Sequence, residues 1–123
     1  MEQHNNKLGG LGEKIARSYF LRLGYIIVAK NARIGHKEAD LIIQKGLEIR
    51  FIEVKTTYLN KSSNKPNKAE DYLSKRKICT LKQAIFEYCL ILAKKEENIY
   101  LDFIAITVLK NKMANISYFK NIT

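Results

Sequence analysis

Two short apolar runs that carry acids constrain this chain more than any other feature. Glu38 to Gln44 reads EADLIIQ and Glu48 to Thr57 reads EIRFIEVKTT, both rich in the β-branched residues that favour strands. Between them, Gln44-Lys45-Gly46-Leu47 holds the glycine that a tight hairpin wants. If Lys45-Gly46 is a two-residue turn, Asp40 pairs with Phe51 and Glu38 with Glu53. Directly opposed residues point to one side of a sheet, so alternation puts Glu38, Asp40, Glu53 and Lys55 on one face. Opposed carboxylates repel, and beside DLII and FIEV an unpaired charge is expensive. A divalent cation offsets both costs, and Mg²⁺ (or Mn²⁺) suits a few carboxylates with water and phosphate. The competing reading is a surface Glu53–Lys55 pair on an edge strand, with Glu38 and Asp40 capping a turn.

The flanking segments supply layers for such a sheet. Leu8, Leu11, Ile15, Tyr19 and Leu23 recur at helical spacing, widened by Ala16 and Phe20, which predicts an amphipathic helix over residues 8–23 that ends at Gly24. Met1 to Lys7 reads as a polar tail, and Tyr25 to Ala29 as a short strand. Residues 58–69, with Ser, Asn, Lys and the chain's one proline, Pro66, predict a flexible basic loop. A second helix is expected from about Lys75 to Lys94, burying Ile78, Leu81, Ala84, Ile85, Tyr88, Ile91 and Leu92. Tyr100 to Leu109 is the most apolar strand candidate, and Ala114 to Ile122 a further one. The expected fold is α/β (α+β): one domain over residues 1–123, its mixed sheet flanked by helices.

The charge balance bears on partners. Lys and Arg number 22 against 12 Asp and Glu, a formal charge of +10, which attracts phosphate backbones of any sequence. Lys61, Lys65, Lys68, Lys75, Arg76 and Lys77 concentrate it on one loop and the helix that follows. A merely solvated loop is the ordinary alternative. No run approaches the roughly 20 apolar residues that span a bilayer, so no membrane is expected. The N-terminus lacks a signal peptide's apolar core, which makes the cytoplasm the expected compartment. Cys79 and Cys89 suit neither a disulfide framework nor a zinc site, and His4 and His36 lack ligand company. Asp102 interrupts an apolar strand, which points to a pairing role.

Asp40, a gap, then Glu53-Val54-Lys55 resembles the signature of the PD-(D/E)XK, or restriction-endonuclease-like, superfamily, although the proline before the aspartate is absent. The YraN family of uncharacterised bacterial proteins, grouped with endonucleases, is a closer match. Gly9-Gly10-Leu11-Gly12-Glu13 with Tyr19-Phe20-Leu21 and Gly24-Tyr25 looks like its first helix. Asn31-Ala32-Arg33 and Glu38-Ala39-Asp40-Leu41-Ile42 look like its N-x-R and GEIDLI motifs, and Phe51-Ile52-Glu53-Val54-Lys55 like its FVEVK strand. The glycine of GEIDLI is Lys37 here, a bulkier cation beside the cluster.

The resemblance implies a helix, three strands, a helix and one or two strands, and a Mg²⁺-dependent endonuclease acting on nucleic acid. DNA is the more natural target than RNA, branched or damaged DNA by analogy with resolvases of the superfamily, whose members also imply a homodimer. Asp40 and Glu53 would be the main metal ligands with the Val54 carbonyl, and Glu13 and Glu38 further candidates. Lys55 would orient the attacking water and stabilise developing charge, or contact phosphate. Lys77, on the sheet-facing side of the second helix, could reach a phosphate at the site. Lys37 and the basic segment would grip the backbone. The alternative is a nucleic-acid-binding module with the same fold and no turnover.

Overall fold

The elements follow one another in the expected order: α1 (Glu2–Arg22), β1 (Ile26–Ile34), β2 (Lys37–Lys45), β3 (Glu48–Leu59), α2 (Lys75–Leu92), β4 (Ile99–Leu109) and β5 (Ala114–Phe119). The computed structural model describes residues 2–35, 37–59, 73–92, 98–111 and 113–122. Five strands form one sheet in the order β1-β2-β3-β4-β5. Neighbours are antiparallel except β3 and β4, which run parallel and are joined through α2, since a parallel pair needs a long crossover. This is the mixed sheet with flanking helices expected from the sequence.

One helix covers each face. Ala16 and Phe20 of α1 pack on Leu41, Ile43, Ile52, Ile104, Ile106 and Val108. Leu81, Ala84, Ile85 and Cys89 of α2 pack on Ala39, Ile42, Ile49, Phe51, Ile99 and Leu101. Continuous apolar runs in β2 and β4 follow from burial on both faces. At about 1.5–3 kcal/mol per fully buried large side chain, these two layers carry most of the fold's stability.

Local signals terminate the helices. Gly24, at φ 92°, ends α1: its N–H donates to the Leu21 carbonyl at 3.1 Å and that of Tyr25 to the Phe20 carbonyl at 3.0 Å. Ser74 caps α2, its Oγ accepting from the Lys77 N–H at 3.1 Å. Gly12 lets α1 approach β3, because a Cβ there would lie 1.6 Å from Thr56 Oγ1. That close approach brings the neighbouring Glu13 to the sheet.

Several expectations change. The helix α1 begins at Glu2, so Glu2 to Lys7 belong to it rather than to a polar tail. Its buried line is Ala16 and Phe20, with Leu11 and Leu23 exposed, because the sheet meets the helix off the centre of the apolar stripe. On α2, Ile91 and Leu92 are exposed and Cys89 is buried instead. The strand β1 runs on to Ile34, and Tyr58 and Leu59 still belong to β3. Lys61, Lys65 and Lys68 lie outside the described residues, as do the side chains of His4 and His36.

Candidate functional site

The hairpin register decides what faces Asp40. Lys45 pairs with Glu48, so Gly46 (φ 61°) and Leu47 make the turn rather than Lys45 and Gly46. Moving the turn by one residue shifts the pairing by two, which preserves each residue's face but changes its partner. Ile42 therefore faces Phe51 and Leu41 faces Ile52. One step further, Asp40 stands opposite Glu53, not Phe51.

At that step the strands part. The Val54 N–H donates to Asp40 Oδ2 at 2.8 Å, a carboxylate taking the place of a backbone acceptor. Alternation also breaks: Ala39 and Ile42, three residues apart, both pack on the α2 side. Lys37 is on that side too, its ammonium 2.8 Å from Glu87 Oε1. Glu38, the next residue along β2, stays within electrostatic reach of both Glu13 and Glu53. The Lys37 ammonium is committed to Glu87 on α2 instead of neutralising the cluster it adjoins in sequence.

Glu53 carries the unusual feature. Its side chain is 13% exposed, and Oε2 is buried without a hydrogen-bond partner. Lys77 Nζ pairs with that oxygen at 4.0 Å, beyond hydrogen-bonding distance, from a half-exposed side chain in the first turn of α2. Burial, then the adjoining Asp40 carboxylate, push the Glu53 pKa up to about 8, with Lys77 pulling the other way. Glu13 is also raised, by burial and then by Asp40, while a hydrogen bond from Asn31 Nδ2 at 3.5 Å opposes the shift. Where β2 leaves β3, Asp40 thus stands within electrostatic reach of Glu13 from α1 and of Glu53, which has Lys77 of α2 at 4.0 Å; the gap between the strands there is the candidate cleft. Lys55 is exposed two residues further along β3, and Lys75 and Arg76 are exposed at the start of α2. Among the described residues, no three His, Cys, Asp or Glu lie close enough together to hold a metal ion as they stand. The Glu53 oxygen beside Asp40 nevertheless fits a cation-binding pair, since two hard oxygen donors share only the loosely held, half-exposed Lys77 as counter-charge.

A second polar network sits at the other end of β3. Asp102 is fully buried on β4, and Arg50 NH1 donates to both its oxygens at 3.0 Å. Tyr118 OH and the Asn121 N–H, the latter at 2.8 Å, donate to it as well. Arg50 Nε and Tyr25 OH each reach Glu48 Oε2 at 2.7 Å. Burial alone would favour a neutral guanidinium, but Glu48 and Asp102 reverse this and hold the Arg50 pKa above its ordinary value. The pairing expected of Asp102 is present. Arg50 escaped the sequence reading, although an opposite charge in the matching apolar run EIRF was the available signal.

The model of the "Uncharacterised protein family UPF0102" matches residues 12–106. A UPF0102 protein of Clostridium tetani is 32% identical over 111 residues, 90% of this chain and 86% of its own length. Relatives of the same description in Syntrophomonas wolfei, 33% identical over 85% of this chain and 87% of theirs, and Thermodesulfovibrio yellowstonii, 36% over 81% and 85%, behave alike. Among solved structures, Pyrococcus furiosus SfsA in complex with Ca²⁺ is similar at TM-score 0.37 and 14% identity, over 94% of this chain and 63% of that one, a likeness too distant to bear on function. No helix among the described residues is long and apolar enough to cross a membrane. With most of its length matched by the family model and by these full-length relatives, the chain belongs to the uncharacterised protein family UPF0102, the YraN family that its motifs resemble.

Proposed function

We propose that this protein is a Mg²⁺-dependent (or Mn²⁺-dependent) endonuclease that hydrolyses phosphodiester bonds of DNA, branched or damaged DNA being its natural target. The observation that carries the reading is Glu53 Oε2, buried beside Asp40 where the strands diverge, without a hydrogen-bond partner and with Lys77 only loosely paired to it at 4.0 Å. Asp40 and Glu53 would hold the cation with the Val54 carbonyl, and Glu13 and Glu38 are further acids at the margin. Bound there, the cation would supply a more acidic water and neutralise phosphate charge.

The chain's own residues have separable tasks. The Val54 N–H fixes one Asp40 oxygen and so holds the carboxylate beside Glu53. Lys55, exposed just beyond Glu53, orients the attacking water and stabilises the charge that develops on the phosphate. Lys77, Lys75 and Arg76 line the approach from α2 and bind the nucleic-acid backbone, as the net charge of +10 supports. A homodimer in the cytoplasm would suit cleavage of both strands of a junction.

The absence of a close three-carboxylate group among the described residues favours a second reading, a nucleic-acid-binding module without turnover. One set of measurements separates them. Mn²⁺ or Mg²⁺ should raise the melting temperature of the wild type but not of an Asp40→Ala, Glu53→Ala double variant; equal shifts would eliminate the metal site. Single-stranded, duplex, flap, junction and RNA substrates should then be tested with Mn²⁺. Cleavage lost in Lys55→Ala supports the nuclease, whereas DNA binding without cleavage of any substrate supports the binding module.

A further inference from the structure

The edge strand β1 contributes a residue to the cleft, Asn31, which the motif reading named without giving it a role. The β1–β2 ladder pairs Lys30 with Leu41 and Ala32 with Ala39. Between those pairs lie Asn31 and Asp40. Asn31 has φ 50°, a left-handed conformation unusual for a residue with a side chain, though asparagine tolerates it better than most. At this place β1 changes the face it buries: Ala29 and Ala32, three residues apart, both pack toward α2. One row across the sheet therefore runs Asn31, Asp40, Glu53, with the alternation of β1 and β2 broken in register.

The Asn31 side chain does not simply meet solvent. Its Nδ2 donates to Glu13 Oε2 at 3.5 Å, bridging the sheet edge to α1. Glu13 in turn lies within electrostatic reach of Asp40. A kink that served only to curl an edge strand would have no need of an amide aimed at an acid on another layer. Glycine would adopt φ 50° at lower steric cost, so the side chain is where a role beyond the turn resides.

We propose that Asn31 is a positioning residue of the acidic cleft: its left-handed backbone, in the same row of the sheet as Asp40, aims the amide at Glu13, and the amide holds Glu13 toward the Asp40–Glu53 pair. The inference rests on the metal-binding reading of that pair, and extends it by making the β1 edge part of the site. Asn31 acts through Glu13 and touches neither cation nor substrate.

Asn31→Gly keeps the backbone conformation and deletes only the amide, so the variant is expected to fold and to melt within a few degrees of the wild type. Two measurements on the full chain test the idea. In ¹⁵N-labelled protein without metal, the Asn31 side-chain amide signals should move in Glu13→Gln and stay in place in Lys14→Gln. In a Mn²⁺ titration followed by melting temperature, Asn31→Gly should shift the midpoint to about tenfold higher Mn²⁺, the scale of losing a group that orients a ligand. Amide signals indifferent to Glu13→Gln, or a wild-type Mn²⁺ midpoint in Asn31→Gly, would overturn the proposal. A wild type that does not respond to Mn²⁺ would instead overturn the metal reading, and the amide response would then decide the Asn31–Glu13 contact by itself.

Discussion

Asp102 and Glu53 are both carboxylates in apolar strands of one sheet, yet they are treated in opposite ways. Asp102 is wholly buried and receives Arg50, Tyr118 and the Asn121 backbone. Glu53 is nearly as enclosed, and one of its oxygens has no hydrogen-bond partner. A buried charge whose donors are all supplied by the chain is a structural pin. A buried carboxyl left short of donors keeps its proton instead of its charge and returns nothing to the fold, the arrangement on which the proposed cation site draws. The contrast lies along a single strand: Arg50 at the start of β3 serves the pin, and Glu53 three residues on serves the cleft.

The largest effect should come from breaking the pin. Asp102→Ala leaves the Arg50 guanidinium buried beside Tyr100 with its main partner gone, and should cost about 3–5 kcal/mol in chemical denaturation. Replacing both residues with apolar ones, Arg50→Met with Asp102→Leu, should recover much of that loss. If the single variant is near neutral, Asp102 is no better used than Glu53 and the comparison fails.

Glu53→Gln should act in the reverse sense and depend on pH. The folded protein holds the Glu53 proton up to about pH 8, whereas the unfolded chain loses it near the ordinary carboxylate value of 4.5. The folded state thus binds the extra proton between these values, so stability is highest below the lower one and falls as pH rises through the upper. The limiting slope for one proton is about 1.4 kcal/mol per pH unit. Metal-free wild type should therefore lose stability from pH 5 to pH 9, and Glu53→Gln should lose less. Parallel curves for the two proteins would mean that Glu53 is solvated.

The smallest effect sharpens the same point. At 4.0 Å and half exposed, Lys77 offers Glu53 only a loose counter-charge, so Lys77→Met should cost less than about 1 kcal/mol at neutral pH. A loss of several times that size would show that Lys77 pins Glu53 as Arg50 pins Asp102.

Much of this was readable in one dimension. The periodicity of residues 8–23 and 75–92, the β-branched runs and Gly24 and Gly46 sufficed for the order of elements, because each depends on neighbours a few residues away. The pairing of acids across EADLI and FIEVK was visible as a conflict between charge and apolar company. Its correct partners were not, since a turn at Gly46-Leu47 instead of Lys45-Gly46 depends on how the whole hairpin packs. The exposure of Ile91 and Leu92 likewise depends on where the sheet ends beneath α2, which periodicity does not report.

The sequence by itself determined that acids would meet inside a sheet of apolar strands, because alternation and hydrophobic burial act locally and every residue obeys them. Only the tertiary structure decided which acids meet. The break in alternation at Asn31 and Asp40 leaves Glu38 only at the margin, and the close approach at Gly12 brings Glu13 in. The ladder running out after Leu41 and Ile52 lets a side-chain oxygen take the Val54 N–H. Each of these follows from contacts between segments far apart in the chain, where packing and hydrogen-bond completion outweigh local preference.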